Sequence, residues 1–529
     1  MSEPAALGRY VLAVDLGTSG AKAAVVSLEG RIVATAREPV ETLYLPGEGV
    51  EQDPEAVWRA VKTACGEAIK RSAVAAQDVL AIICSSQYSS IVPVDAAGRA
   101  TMNMVLWLDK RGAKDRLSKV AGYPRRTDTA LQQWRWLKLH GLPPVSGGMS
   151  LTHMRYIKYA QPQVYERTAK FLEPMDYVCM RLTGRAAANQ CTAFMSLLTD
   201  NRQLNVTAYD RGLVRQSLID EGKLPELVPF EAIIGTVLPD VAAEIGILPT
   251  TKVLTSINDT QAGGMGTAAF TGGHAAISIG TTSVMITHVG FKRTDIRHSI
   301  LSMPSPVPAT YFVMAENGIG GAALEYLLEN VIFARDDFGG LTAENRYEVL
   351  GRAVAGTAPG SDGLQFLPWM GGAIAPQADS KMRGGFLNVT AKTTRSHMAR
   401  AVLEGVAMNL RWLEGPVEAF AKRRFSHYVF YGGGAESDVW SQIMADVLGK
   451  PVHQMQNPQY ATCVGIALLA FQRLGFIGFD EFERRVPIRA VYDPNAANKA
   501  VYDEMSGLLV QSFQATQPIF RALNRAGRG

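Results

Sequence analysis

Cysteine is scarce in this chain of 529 residues: there are five, Cys65, Cys84, Cys179, Cys191 and Cys463. Their number is odd and none forms a C-x-x-C pair, which argues against a disulfide framework or a zinc site and for free thiols in a reducing cytoplasm. The eight histidines show no H-E-x-x-H or similar ligand spacing. Excess charge is also lacking. The formal net charge is only +4, so neither nucleic acid nor an anionic membrane is expected as a partner. No apolar run is long enough to span a bilayer, and the opening MSEPAALGRY has no apolar core of the kind a signal peptide needs. Solenoid periods and low-complexity segments are missing. The P-loop G-x-x-x-x-G-K-[ST] and the H-R-D…D-F-G set are missing too, which excludes two common phosphoryl-transfer scaffolds.

What is present is an ordinary globular composition, 47% hydrophobic and 19% charged, in a chain too long for one core. It is organised around Val253 to Ser283. A short apolar strand, Lys252 to Ile257, ends on Asn258-Asp259. A Gly- and Ala-rich segment follows, and a second strand, His274 to Ile279, runs into Gly280-Thr281-Thr282-Ser283. The strand end gives one carboxylate a fixed position. The turn offers backbone N–H groups and hydroxyls, the donors that a phosphate needs. The same association occurs at the N-terminus, where the strand Tyr10 to Leu16 carries Asp15 and turns at Gly17-Thr18-Ser19-Gly20 into a second strand, Ala21 to Leu28.

Elsewhere, Asp53-Pro54 reads as the cap and first position of a helix. Val79 to Ser85 is a strand that feeds Ser86-Gln87-Tyr88-Ser89-Ser90, and Ile91 to Asp95 with Val105 to Asp109 reads as a hairpin-like unit. Arg395 to Phe420 is the longest helical pattern and predicts a buried helix. Tyr428 to Tyr431 is a strand leading to Gly432-Gly433-Gly434-Ala435, where glycines let the backbone approach a ligand closely. The domain boundary is expected just before the central strand, giving units 1–249 and 250–529.

Two acidic strand ends, two Gly-Thr turns and one Gly-rich turn are the parts of a nucleotide site split across two lobes. In this arrangement the sequence resembles the FGGY carbohydrate kinase family, its xylulose kinase-like branch in particular. The carriers include VLAVDLGTSGAK (11–22), EGVEQDPEAVW (48–58), SSQYSSIVPVD (85–95), WLDKR (107–111), SINDTQAGGMG (256–266), SIGTTS (278–283), RAVLEGVAMNLR (400–411) and GGGAESDVWSQIMADVLGKPV (432–452). The resemblance implies an α/β fold of two ribonuclease H-like, actin-like ATPase domains flanking a catalytic cleft that takes ATP and Mg²⁺. It makes Asp15 the metal- and phosphate-facing aspartate. Gly17, Thr18 and Ser19 become the first phosphate hairpin, with Lys22 near the γ-phosphate. Asp259 becomes the base for the acceptor hydroxyl, and Gly280, Thr281 and Thr282 the second phosphate turn. Gly433, Gly434 and Ala435 fall against the adenosine. Gln87, Tyr88, Trp107 and Asp109 fall on the sugar side.

The resemblance further implies a small sugar or polyol as substrate and admits a homodimer. The sugar side departs from the branch. Xylulose kinases in the family usually read Gly-Gln-Met-His-Gly where this chain has Ser86 to Ser90. Asn189 replaces a usual Asp, which would alter sugar recognition if it reaches the cleft. Thr260 follows Asp259 where Asn or Ala is common. The acceptor expected is a small ketose or polyol such as a pentulose. A non-sugar signalling acceptor, or a nucleotide-switched binding protein on the same scaffold, remains open at this point.

Overall fold

A computed structural model describes residues 8–124, 126–333, 335–336, 339–340 and 345–525. The N-terminal alternation of apolar residues becomes three antiparallel strands, β1 (Tyr10–Gly17), β2 (Gly20–Ser27) and β3 (Ile32–Pro39). The glycine at the first turn is demanded by geometry. Gly20 has φ +145°, and a Cβ there would lie 2.1 Å from the Glu38 carbonyl oxygen. Helix α1 (Pro54–Ser72) starts as its sequence indicates, with the Asp53 side chain accepting from Glu55 N–H and Pro54 in the first turn. It lays Val57, Trp58, Val61 and Ala64 on one face of the sheet.

Strand β4 (Val79–Ser86) pairs in parallel with β1. Strands β5 (Ile233–Thr236), β6 (Lys252–Leu254) and β7 (Ile257–Asn258) complete a seven-stranded sheet in the order β5-β6-β4-β1-β2-β3, with β7 also on β4. This corrects the expected division. The strand after residue 249 hydrogen-bonds to Ala81 and Ile82 of β4, so it is part of the first sheet. It is also interrupted at Thr255-Ser256 rather than running unbroken to Ile257. The expected unit at 91–109 is looser than a hairpin. Ile91 bridges Val105, but Val92–Val94 pairs with Lys170–Leu172, and Met104–Val105 with Glu51-Gln52.

The Gly- and Ala-rich segment is a helix, α2 (Asp259–Gly266), capped by Asn258, whose side chain accepts from Gln261 N–H at 2.9 Å. Beyond it β8 (Ala275–Ile279), β9 (Thr282–Val289), β10 (Thr294–Asp295), β11 (Ile300–Pro304) and β12 (Tyr311–Ile319) form an antiparallel array. Strands β13 (Tyr428–Tyr431) and β14 (Val452–Met455) add in parallel, and β15 (Ile488–Tyr492) closes the edge. The eight-stranded order is β10-β11-β12-β9-β8-β13-β14-β15. Both sheets therefore share one plan: an antiparallel meander whose first strand carries a Gly-Thr turn and then takes parallel neighbours. The expected long helix, α3 (Arg395–Ala421), is buried against the second sheet beside α4 (Asp438–Leu448).

Helix α5 (Ala461–Arg473) crosses from the second half of the chain to the first sheet. Cys463, Val464, Ala467, Leu468 and Phe471 pack with Val11, Ala13, Ala24 and Ile83 on the face opposite α1. Helices α2 and α5 thus lie between the two sheets, and they meet backbone to backbone. A Cβ on Gly465 would stand 2.0 Å from the Ala262 carbonyl oxygen, and one on Gly266 would stand 2.1 Å from that of Ala461. Neither contact can be relieved by turning a side chain.

Gly465→Val should therefore lower stability by roughly 3 kcal/mol or more, above the usual ~1–3 for core overpacking, because backbone must move. Gly507→Ala, at an exposed position of the helix Lys499–Leu523 where an added Cβ meets nothing within 4 Å, should be neutral or stabilising. Thermal unfolding of the two variants checks the contrast.

Candidate active site

The register of the first sheet sets Asp15 between two partners. Lys22 is opposite it on β2 and Ser85 on β4. Lys22 Nζ lies 2.8 Å from Asp15 Oδ2, and Ser85 Oγ donates to Oδ1 at 2.9 Å. A third donor comes from α5, where Thr462 Oγ1 reaches Oδ2 at 2.9 Å. Burial alone would push this carboxyl up. The Lys22 charge and the three donors outweigh it and hold Asp15 below the usual carboxylate range. Asp15 is an ionised group, and Lys22 is committed to it in this arrangement.

Asp259 is the first residue of α2, and its environment has the opposite effect. Loss of solvation, then the Asp15 charge, push its carboxyl up to about 7, against the weaker pull of the Thr260 N–H and hydroxyl and of Lys22. Thr260 N–H donates to Asp259 Oδ1 at 2.7 Å. Tyr431 on β13 closes the wall behind. Its hydroxyl fills the place beside Gly263 where a Cβ would come within 2.2 Å, and the Asp259 and Asp15 charges, after burial, raise its phenol.

Each sheet carries one of the two Gly-Thr turns. Ser19 is exposed at the tip of β1–β2, and Gly280 and Thr281 at the tip of β8–β9. The second turn is fixed from behind by Gly321 N–H on Gly280 O at 2.8 Å and Gly320 N–H on Thr281 O at 3.0 Å. The position matching Asp15 in this hairpin is Ser278, so only the first hairpin carries charge. Gly433 is open, with nothing within 4 Å of a built Cβ. Two neighbours are not. Gly434 packs on Ile279, whose Cβ would lie 2.8 Å from an added Cβ. Ala435 is fully buried, with its carbonyl taken by Gln454 Nε2 at 2.7 Å. Of the three residues expected against adenosine, Gly433 alone is a free face, and the other two support the loop.

On the sugar side, Gln87, Thr18 and Trp107 form one network. Thr18 Oγ1 donates to Gln87 Oε1 at 2.6 Å and accepts from Trp107 Nε1 at 3.2 Å. The Thr18 side chain is therefore committed to Gln87 and Trp107. Gln52, overlooked in the sequence, ties this together by donating to Thr18 O at 2.7 Å and accepting from Gln87 Nε2 at 3.3 Å. Asp109 departs from expectation. It is fully buried, and its oxygens accept from Val50 N–H at 2.9 Å, Arg111 N–H at 2.8 Å and Arg111 Nε at 2.9 Å. It braces the loop rather than facing the cleft.

Asn189 belongs to the framework as well. It is fully buried. Its amide donates to Ser256 O at 2.7 Å, and its oxygen accepts from Cys191 N–H at 2.8 Å and Thr192 N–H at 3.2 Å. That is a turn residue tying the strand interruption in place.

Tyr88 does face the centre. After burial, the charges of Asp259 and Glu316 are what raise its phenol. Its hydroxyl lies 3.7 Å from Met314 Sδ on β12. The loop that carries it is strained at Ser89, φ +66°, and held by Glu173, which accepts from Ser90 N–H at 3.2 Å. Glu316, two residues beyond Met314 on β12, adds a carboxylate that the sequence reading missed. Burial raises it and Lys110 opposes the rise. No local motif marks Glu316, Thr462 or Tyr431. Gln52 lay inside a family-like stretch, and Tyr431 ends a strand that the sequence does show.

Two sheets of one plan, each with a Gly-Thr hairpin turn, with two carboxylates at strand ends of the first, define an actin-like α/β sugar-kinase fold. The model of the FGGY family of carbohydrate kinases, N-terminal domain, matches residues 10–266, and that of the C-terminal domain matches residues 275–473. The chain belongs to the FGGY family of carbohydrate kinases and is a phosphotransferase with an alcohol group as acceptor. It is 27% identical over 522 residues to a xylulose kinase of Bacillus subtilis, covering 97% of this chain and 99% of that one. It is 28% identical over 498 residues to a glycerol kinase of Bordetella parapertussis, covering 92% and 93%. The crystal structure of a ligand-bound xylulose kinase from Lactobacillus acidophilus superposes with TM-score 0.81 at 22% identity, covering 98% and 100%. No helix among the described residues is long and apolar enough to cross a membrane.

The raised carboxyl of Asp259 has a sign that can be tested. A base must be unprotonated, so kcat/KM should fall as pH drops through about 7, since this parameter reports the free enzyme. Asp259→Asn should cost roughly 10²–10⁴-fold in turnover, the usual worth of a general base, while nucleotide affinity is retained. A flat rate profile from pH 5.5 to 8.5 would remove Asp259 from this role.

Proposed function

We propose that the protein transfers the γ-phosphoryl group of ATP to a hydroxyl of a small ketose or polyol, a pentulose such as xylulose. The observation that supports this most directly is the pair of carboxylates held in opposite states, Asp15 ionised and Asp259 raised to about 7, between the hairpin tips of two sheets. The two tips hold the phosphates through backbone N–H groups, with Gly433 as the adenosine face. Asp259 accepts the proton of the acceptor hydroxyl as its oxygen attacks phosphorus. The ionised Asp15 keeps that proton-accepting carboxyl high by its charge and is itself fixed by Lys22, Ser85 and Thr462.

Among the described residues no cluster of three or more His, Cys, Asp or Glu could cage a metal. One ionised carboxylate suits Mg²⁺, which keeps waters and phosphate oxygens among its ligands. Asp15 would hold that ion, which neutralises phosphate charge when bound.

With Asn189 and Asp109 outside the cleft, the sugar side reduces to Gln87, Trp107, Tyr88 and Glu316. The carboxylate of Glu316 and the phenol of Tyr88 add an acceptor and a mixed donor-acceptor to the acceptor pocket. Such a set favours a substrate rich in hydroxyl donors. ADP release measured with D-xylulose, L-xylulose, D-ribulose, L-ribulose, xylitol, ribitol, erythritol and glycerol should give the highest kcat/KM to a five-carbon acceptor. Failure of the whole panel would overturn the ketose or polyol reading. Glu316→Gln should raise the acceptor KM by roughly 10-fold or more, the scale of a lost hydrogen bond to a charged group, with the ATP KM unchanged. An equal rise in both constants would place Glu316 outside acceptor recognition.

A further inference from the structure

The two carboxylate oxygens of Asp259 have different surroundings. Oδ1 accepts twice from the next residue: Thr260 N–H donates at 2.7 Å and Thr260 Oγ1 at 3.2 Å. Thr260 lies in the first turn of α2, where a backbone N–H has no helical carbonyl to meet and is available to a side chain. Oδ2 accepts from no group among the described residues, yet it is not a buried, unpaired atom: Asp259 is half-buried, and this oxygen keeps surface open to solvent. A carboxylate turns about its last torsion over a broad, roughly two-fold range, so without a tether either oxygen could face a substrate. The other charged and titratable groups that face Asp259 are Asp15 and Lys22 of the first sheet, Tyr88 of the loop after β4 and Tyr431 of β13. Among the described residues none of them donates to its carboxylate, so Thr260 alone fixes it.

We infer that Thr260 is a positioning residue for the reaction: it ties down Asp259 Oδ1 and leaves Oδ2 as the oxygen that takes the acceptor's proton. The inference rests on Asp259 as the base of the proposed phosphoryl transfer. An oxygen that already accepts two hydrogen bonds is the weaker base of the pair, so orientation and basicity select the same atom. In the step itself the acceptor hydroxyl gives its proton to Oδ2 while its oxygen bonds to the γ-phosphorus. The bond from that phosphorus to the bridging oxygen breaks, which leaves Asp259 neutral and ADP as the leaving group. The Thr260 hydroxyl has a second neighbour in the Tyr88 phenol, whose rise it opposes. Thr260 therefore lies next to both the base and the acceptor side.

Two substitutions in the full chain separate the hydroxyl from the shape around it. Thr260→Val keeps the backbone N–H bond and the branched shape but loses the hydroxyl, and Thr260→Ser keeps the hydroxyl. Both are assayed with ATP and the acceptor of highest kcat/KM in the panel above. Thr260→Val should lower kcat roughly 10–100-fold, the scale of a misplaced catalytic group, with the KM of acceptor and of ATP within about twofold of the parent. Thr260→Ser should recover most of kcat. A role in packing predicts the reverse order, since Val keeps the methyl group and Ser loses it. The acid limb of kcat/KM should move to higher pH in Thr260→Val and return in Thr260→Ser, because the lost hydroxyl held the Asp259 carboxyl down. In an Asp259→Asn background Thr260→Val should cost nothing further, since it acts only through the carboxylate. Parent-like kcat in Thr260→Val beside an inactive Asp259→Asn overturns the inference and leaves the base in place. A raised acceptor KM with kcat unchanged makes Thr260 a contact of the acceptor and also overturns it, as does a further loss in the Asp259→Asn background. Near-parent activity of Asp259→Asn itself overturns the base reading, and this inference with it.

Discussion

The contact between α2 and α5 is the constraint on which the rest of the molecule depends. Two helices meet with glycine against carbonyl oxygen, closer than any side chain permits, in the layer between the sheets. That approach brings together groups from three distant parts of the chain: Asp15 on β1, Asp259 at the start of α2 and Thr462 at the start of α5. The Thr462–Asp15 hydrogen bond joins residues separated by 447 positions. Widening this crossing would separate the two carboxylates and unseat the first hairpin together.

Bringing the carboxylates together divides their chemistry. Asp15 receives two hydroxyl hydrogen bonds and a neighbouring ammonium. Asp259 receives the Thr260 donors and the repulsion of Asp15. Two similar groups in one cleft are thereby driven to different proton affinities, which is how one site assigns separate tasks to a pair of acids. The second hairpin, with Ser278 at the corresponding position, leaves this division undisturbed.

Elements set by local chemistry were legible in the sequence. The Gly-Thr turns, the Asp53-Pro54 helix start, the long buried helix and the Gly-rich turn all lie where their residues indicate, because each is fixed by neighbours a few positions away. Pairing partners were not legible. An apolar strand reads the same whichever sheet it joins, so Lys252–Leu254 was expected to open the second unit although it pairs with β4. Direction was also hidden. Asn189 and Asp109 are polar residues in motifs near the cleft, yet their hydrogen bonds turn them into the framework. Ala435 shows the same limit in an apolar residue. Glu316 and Thr462 were missed for the converse reason, since each gains its place only through a tertiary contact with no sequence signature.

The proton affinity of Asp259 ties the site to the acidity of its surroundings. Loss of solvation and the neighbouring Asp15 charge raise this carboxyl to about 7, so modest changes around neutral pH alter how much of it is charged, which an ordinary carboxylate at about 4 would not register. One aspartate at the head of a short glycine-rich helix thus makes the charge between the two sheets depend on pH without any additional residue.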